Sequence, residues 1–376
     1  MEQNARRNLQ DIRVGFVLSH PFHYFIYRPL IEALKNPVVV IEKRKKTPFE
    51  FSTDFIKALP CPYVVLDETQ LGMIDKQVDI VFVMTPKHLA AGFSHARTVV
   101  MQYGMAKEYY NYGLWRSLGD LNMMYGPYSA NMVQGHAVAY PVGNTRLDGY
   151  VAPVTGGGGL LYLPTYGALS TLSKFADLLP QLHPDVPIKV KLHHASEFED
   201  AAIIARLKTD PRITLLDGYR DALDDISAAD IVLSDYSGAI FDAIFLNRPV
   251  ALFQPGYTQS VKRTDDRSIE IARGGDLGEV LDSEEALIAF FDRVAAREQP
   301  KPAGLARSEF LSNPGAAVPV ALDLLDKLIN DEIPRTLVQD SVYETYSSLR
   351  KRPAKPVVIG LRKALKSRLS RMFFGK

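Results

Sequence analysis

The chain holds a single cysteine, Cys61, in 376 residues. One cysteine closes no disulfide within a chain and builds no cysteine-rich metal site, so both of those scaffold classes are excluded. Cys61 is expected to be a small, half-buried apolar residue, and a chain so poor in cysteine suits a reducing compartment. Long apolar runs are missing as well. No stretch reaches the roughly 18–20 apolar residues that a membrane-spanning helix requires. The run Val14–Leu18 is too short to be the core of a secretory leader. Excess charge of one sign is also lacking: 44 basic against 43 acidic residues leave a net charge of +1, so no overall field draws the chain to nucleic acid.

What remains is an ordinary globular mixture, 47% apolar and 23% charged, over a length that suits two cores better than one. Through the first 150 residues, short apolar runs alternate with helical patterns. Arg13–Ser19, Pro37–Glu42, Tyr63–Leu66, Asp79–Met84 and Thr98–Met101 read as strands, and Pro29–Lys35 reads as a helix. Ala137–Val142 is a weaker strand, because Pro141 interrupts it. The rhythm stops at Val151–Gly159, which ends in consecutive glycines and carries nothing that builds a core. It then restarts. Leu160–Leu163, Ile188–Leu192, Ile213–Leu215, Ile231–Ser234 and Val250–Phe253 read as strands, with helices at Ser170–Leu179 and Ala201–Lys208. Strands separated by helices imply mostly parallel, doubly wound sheets. The predicted organisation is a domain at 1–150, a joint at 151–159, a second domain at 160–330, and a helical extension with a basic tail at 331–376.

Ligands of such sheets sit beyond the carboxyl ends of the strands, so the residues that follow each strand carry the functional signal. The sharpest is in the segment 229–255. There an apolar strand ends in Ser234-Asp235, the chain turns at Tyr236-Ser237-Gly238, and a helix follows with Asp242 in its first turn. A strand–turn–helix of this kind offers backbone N–H groups and a positive dipole end to a phosphate. Gly238 permits close approach and the Ser237 hydroxyl adds a donor. The same geometry serves plain helix capping, with Ser237 as the cap and Asp242 complementing the dipole.

The segment resembles the CDP-glycerol glycerophosphotransferases and related polyol-phosphate transferases of teichoic acid and capsule synthesis. Their phrase "aDvliTDYSS…fDya…kPv" is matched by Ala229-Asp230, by Ser234-Asp235-Tyr236-Ser237-Gly238, by Phe241-Asp242-Ala243 and by Arg248-Pro249-Val250. Further phrases follow in family order: Gly143-Asn144-Thr145-Arg146-Leu147-Asp148, Leu161-Tyr162-Leu163-Pro164-Thr165-Tyr166, Lys191-Leu192-His193 and Gly315-Ala316-Ala317. The resemblance implies a GT-B fold, with two Rossmann-like α/β domains facing a cleft, the first on the acceptor side and the second binding the nucleotide donor. The chain departs from the family at Gln102-Tyr103-Gly104-Met105, where Tyr103 stands in place of the histidine of "WHGt". Gly238 replaces the second serine of "DYSS", and His194 replaces the proline of "HP".

By resemblance His193 is the leading catalytic residue, able to donate to a diphosphate oxygen and offset charge on the leaving group. His20 and His23, which follow the first strand, are candidate general bases for an acceptor hydroxyl, or hydrogen-bonded loop histidines. Glu108 and Asp148 are alternative bases. Tyr103 is a poor base, since a phenol ionises at about 10, but it can donate a hydrogen bond. Donor binding is expected from Thr165, Arg220, Asp235, Ser237, Gly238 and Asp242, and acceptor-side contacts from Lys107 and Arg146. Tyr103, Tyr109, Tyr110, Tyr112 and Trp115 line an acceptor groove or pack a core. Lys262 and Arg263 belong to the polar stretch Gln259–Arg267, an ordinary loop or a mobile one near the donor.

No clear DxD motif occurs, so no metal and no cofactor are expected. The expected activity is transfer of a polyol phosphate from a CDP-activated donor to a hydroxyl of a surface polymer or lipid-linked acceptor. The alternatives are a sugar transferase using a UDP- or CMP-sugar, a UDP-sugar 2-epimerase-like enzyme, and a non-catalytic nucleotide binder. At the end of the chain, Leu361–Phe374 interleaves apolar residues with Arg362, Lys363, Lys366, Arg368 and Arg371. A cationic amphipathic helix there would lie on an anionic membrane surface, making the protein cytoplasmic and peripheral on the inner face. The other reading is a frayed or docked basic tail.

Overall fold

The computed structural model describes residues 6–43, 51–151, 159–193, 195–196, 200–216, 218, 220–256, 266–300 and 307–351. The glycine-rich joint (152–158), His194, Lys262, Arg263 and the basic tail at 361–376 lie outside these residues.

Two parallel sheets organise the chain. The first holds β1 (Val14–Leu18), β2 (Pro37–Lys43), β3 (Tyr63–Asp67), β4 (Ile80–Val83), β5 (Arg97–Met101), β6 (Leu121–Met124) and β7 (Ala139–Pro141) in the order β3-β2-β1-β4-β5-β6-β7. The second holds β8 (Leu160–Leu163), β9 (Ile188–Lys191), β10 (Ile213–Leu216), β11 (Ile231–Ser234), β12 (Val250–Phe253) and β13 (Glu279–Leu281) in the order β10-β9-β8-β11-β12-β13. Central strands such as β1 and β11 are buried along their whole length. That is why they read as continuous apolar runs rather than alternating ones. Strand order reverses between β1 and β4 in one sheet and between β8 and β11 in the other. At each reversal the connections leave toward opposite faces and open a crevice beyond the strand ends.

Several details differ from the sequence expectation. The first helix spans Pro21–Ala33, not Pro29–Lys35. His20 caps it by accepting the Phe22 N–H, and Pro21 occupies the first turn, where no N–H is needed. Pro29 sits inside this helix. β6 and β13 went unread. β6 is a four-residue Leu-Asn-Met-Met strand, whose buried Asn122 donates to the carbonyls of Arg116 and Val138. β13 is a three-residue edge strand that begins with a glutamate.

The segment after residue 307 departs furthest from the expected boundary. Ser312 N–H donates to the Tyr125 carbonyl, and Asn313 donates to those of Pro141 and Val142. Gly126 and Gly143 are needed beneath this crossing. A Cβ on Gly126 would fall 2.3 Å from the Phe310 backbone, and one on Gly143 would fall 2.5 Å from the Ser312 carbonyl. The helix Ala317–Ile329, assigned by sequence to the second domain, then buries Ala321, Leu324, Leu325 and Leu328 against the first sheet, together with Val14, Phe16, Leu30 and Val142. Truncating one such leucine to alanine costs about 2–5 kcal/mol. Further on, Gln339 bonds the Val138 N–H and the Gly119 carbonyl. The first lobe is therefore completed by residues 312–339, which return to it after the second sheet.

One apolar cluster spans both lobes. Met105, Ala106, Tyr125 and Leu147 of the first pack with Leu163, Ile240, Phe241 and Phe245 of the second. The Tyr125 and Phe245 rings meet edge to face at 6.0 Å. Among the described residues no helix is long and apolar enough to cross a membrane.

Candidate functional site

In the second lobe the site is built at the β8/β11 reversal. Asp235, fully buried at the end of β11, accepts the Thr165 N–H at 2.8 Å and the Thr171 N–H at 3.1 Å. The Thr171 hydroxyl adds a third bond to it at 3.3 Å. Burial pushes the Asp235 carboxyl up to about 6, against those bonds. Asp235 therefore does not reach a donor, as the sequence reading had it. It holds the loop that carries Thr165 and Tyr166.

Next to that loop, beyond β9, His193 stacks on Tyr166 with ring centroids 4.2 Å apart and planes 20° apart. His193 Nδ1 accepts the Ala195 N–H at 3.1 Å. An acceptor at Nδ1 puts the proton of the neutral ring on Nε2, so the half-buried ring presents a donor. That form suits an anionic oxygen.

The turn at Tyr236-Ser237-Gly238 is tighter than a free helix end. Ser237 Oγ accepts the Ala239 N–H at 3.3 Å, and the N–H groups of Ile240, Phe241 and Asp242 bond to the carbonyls of Ser237, Gly238 and Ala239. The helix is only Ile240–Phe245. Its first amides are thus spent locally, on the Ser237–Gly238–Ala239 turn. This turn faces the first lobe, where a Cβ on Gly238 would lie 3.6 Å from the Ala106 methyl.

Lys107, in the first-lobe loop beyond β5, crosses to this site. Its Nζ lies 3.5 Å from Thr165 Oγ1. Placed by sequence on the acceptor side, Lys107 sits instead beside the second lobe's loops. Arg146 is not available to a ligand. It is buried and bonded to Asp221 and, at 2.7 Å, to Asp242. The same pairing removes Asp242 from the donor set. Arg220 is paired with Asp225.

At the β1/β4 reversal of the first lobe, His20 is the N-cap of the helix Pro21–Ala33 and His23 lies in its first turn. His20 Nδ1 accepts the Phe22 N–H at 3.1 Å, and His23 Nδ1 accepts the Ser19 N–H at 3.3 Å. As bonded here each Nδ1 is an acceptor, which fits the hydrogen-bonded histidines that the sequence offers beside the general-base role. His88 had not been singled out. Its Nε2 lies 2.6 Å from Ser19 Oγ and 3.4 Å from the buried Glu42 carboxylate. His23 packs between this group and Tyr103, its ring 6.2 Å from His88 and 5.8 Å from Tyr103. The Ser19–His88–Glu42 grouping draws on residues 69 positions apart, so no local motif announces it. Burial, followed by the neighbouring Tyr110, pushes the Tyr103 phenol well above 10. Of the alternative bases, Glu108 accepts from Tyr128 and from the Ile269 N–H, and Asp148 accepts the Val318 N–H at the start of the helix Ala317–Ile329.

Two doubly wound lobes with candidate residues at both strand-order reversals define a GT-B-type fold. Residues 155–308 match the model of the CDP-glycerol:poly(glycerophosphate) glycerophosphotransferase family. Among solved structures, the wall teichoic acid polymerase TagF is 13% identical and has a TM-score of 0.56, with 85% of this chain and 90% of that one covered. The UDP-GlcNAc 2-epimerase of Methanocaldococcus jannaschii, solved with UDP-GlcNAc and UDP, is 15% identical with a TM-score of 0.58, covering 84% and 99%. The UDP-GlcNAc 2-epimerase of Neisseria meningitidis, bound to UDP-GlcNAc, is 13% identical with a TM-score of 0.52, covering 84% and 100%. At these identities the likeness is one of fold. No curated protein sequence matches the chain.

Proposed function

We propose that the protein transfers a glycerol-phosphate-like group from a CDP-activated donor to a hydroxyl of a cell-surface polymer or lipid-linked acceptor. The acceptor oxygen attacks the β-phosphorus. The bond from that phosphorus to the bridging oxygen breaks, CMP leaves with the electron pair, and the hydroxyl proton is released. Such a reaction asks the protein mainly for positioning and charge. The observation that carries the reading is the meeting of Lys107 Nζ with Thr165 Oγ1 across the lobes, beside the His193–Tyr166 stack. On this reading the ammonium, the hydroxyl and the imidazole Nε2–H border the space that the pyrophosphate takes. The family of residues 155–308 supports CDP-glycerol as the donor.

In this reading Lys107 and Thr165 hold the pyrophosphate, and the Ser237–Gly238 turn adds close donors. His193 donates to the oxygen that gains charge as CMP leaves. The acceptor lies over the β1/β4 reversal, near His20, His23 and Tyr103. No metal is required, because the cations are supplied by the chain. The reaction takes place at the cytoplasmic face, with the basic tail at 361–376 against the membrane.

Thermal protection by CDP-glycerol, but not by UDP-GlcNAc, together with CMP release in the presence of a polyol-phosphate acceptor, is the expected result. Protection by UDP alone would favour the epimerase-like alternative, and protection without turnover a binding protein. His193→Ala should lower CMP release about 100- to 1,000-fold. Release at the parent rate would remove His193 from the mechanism.

A further inference from the structure

We infer that Glu270 is a positioning residue: across the gap between the lobes its carboxylate holds the backbone of Lys107, and so sets the reach of the Lys107 ammonium toward Thr165 and the donor. This rests on the reading of Lys107 and Thr165 as the pyrophosphate site.

Lys107 has φ 65° and ψ 62°, a left-handed conformation that disfavours a residue bearing a Cβ. Its surroundings must therefore impose that geometry. The Glu270 carboxylate supplies the constraint, its two oxygens 3.1 and 3.2 Å from the Lys107 nitrogen. The exchange is reciprocal. Glu108, the residue after Lys107, accepts the N–H of Ile269, the residue before Glu270, at 2.6 Å. Both carboxylates are almost fully buried, Glu270 at 1% and Glu108 at 6% exposure, so these bonds lie out of bulk water and are strengthened by it.

The contacts close a ring. Gln254 Nε2 donates to the Glu270 carbonyl at 2.9 Å and to the Asp235 carbonyl at 3.2 Å. The Asp235 carboxylate holds the Thr165 N–H. The Thr165 hydroxyl meets Lys107 Nζ, and Lys107 N–H returns to Glu270. Glu270 is the point at which the second lobe fixes a first-lobe cation over its own phosphate loop.

The ring depends on ionised Glu270. Burial first, then the charge of Glu108, raises its carboxyl to about 7. Among the described residues, the charged and titratable groups around it are Lys107 and Glu108 on the facing loop, Tyr128 on Glu108, Asp235 through Gln254, and Arg273, paired with Glu309. A proton on Glu270 turns one oxygen into a donor facing the Lys107 N–H and removes the charge that attracts the ammonium. Donor affinity then falls as pH drops through about 7. The doubly esterified pyrophosphate of CDP-glycerol has no proton that titrates in this range.

The test is calorimetric titration of the full chain with CDP-glycerol at about pH 8 and about pH 6, on the parent, Glu270→Gln, Lys107→Met and the double variant. The parent should bind roughly threefold to tenfold more weakly at the lower pH. Glu270→Gln should bind at the higher pH as the parent does at the lower, with a nearly flat profile. In the Lys107→Met background, Glu270→Gln should change nothing. A Glu270→Gln protein with the parent's pH profile, or an equal loss in both backgrounds, overturns the inference and leaves the proposed function intact. Should Glu270→Gln fail to fold, Lys107→Met alone decides, since it must abolish the pH dependence. A parent that does not bind CDP-glycerol at all overturns the proposed function, and this inference with it.

Discussion

The Arg146 guanidinium leaves the first lobe and ends 2.7 Å from the Asp242 carboxylate of the second. Asp221 takes its other side, and the Phe22 ring lies 5.2 Å below it. With its side chain at 3% exposure this is a buried clamp, not a ligand site. Arg146→Met would strand two carboxylates, which costs about 3–5 kcal/mol. Asp242→Asn keeps an acceptor and should cost less, about 1–2 kcal/mol. Urea denaturation measures both; losses below about 1 kcal/mol for Arg146→Met would show that the clamp does not hold the lobes. Burial works against the Asp221 carboxylate, but Arg146 outweighs it and keeps the carboxyl below its ordinary 3.8. The Asp221 contribution is therefore present above that value and is lost as pH falls below it.

Asp235 works with the opposite sign. Its carboxyl is raised from 3.8 to about 6, so the folded chain binds the proton more tightly than the unfolded chain does. The stability this gives is complete below the unfolded value and is lost as pH rises through about 6. Glu270 acts in the same direction up to about 7. The urea midpoint should therefore fall by an amount worth about 1–3 kcal/mol between pH ~4.5 and ~7.5. Asp235→Asn should flatten part of that slope while lowering stability throughout, because its amide cannot accept all the N–H and O–H groups of Thr165 and Thr171. An unchanged slope would mean that Asp235 does not titrate in this window.

Tyr103 occupies the place where the resembling family has a histidine, yet its phenol is held well above 10. A group that keeps its proton at neutral pH takes none from an acceptor. Tyr103→Phe should therefore lower kcat less than about tenfold and leave the alkaline side of the pH–rate profile where it was. A loss beyond about a hundredfold would make Tyr103 part of the proton transfer after all.

The buried strands were legible because a parallel sheet covered on both faces leaves an unmistakable apolar run, as at Val14–Leu18 and Ile231–Ser234. β6 and β13 were not, because a short strand holding a bonded asparagine and an edge strand opening on glutamate lack that run. Thr165 and His193 each follow a strand, as the phrases around them imply. The sequence misplaced Arg146 and Asp242 for a different reason: a cation and an acid look like ligands until they are seen to satisfy each other, and their partnership spans 96 positions.

Composition, strand rhythm and local phrases thus determined on their own that this is a two-sheet α/β chain whose second half carries a strand–turn–helix phrase at Ser234–Asp242, since those features depend on neighbours a few residues away. Which polar groups remain for a ligand was decided only when the lobes closed. Lys107 reaches Thr165, Glu270 holds Lys107, and the helix Ala317–Ile329 returns to the first sheet. Burial and hydrogen-bond satisfaction at those points are properties of side chains brought together from distant parts of the chain, and no window along the sequence contains both partners.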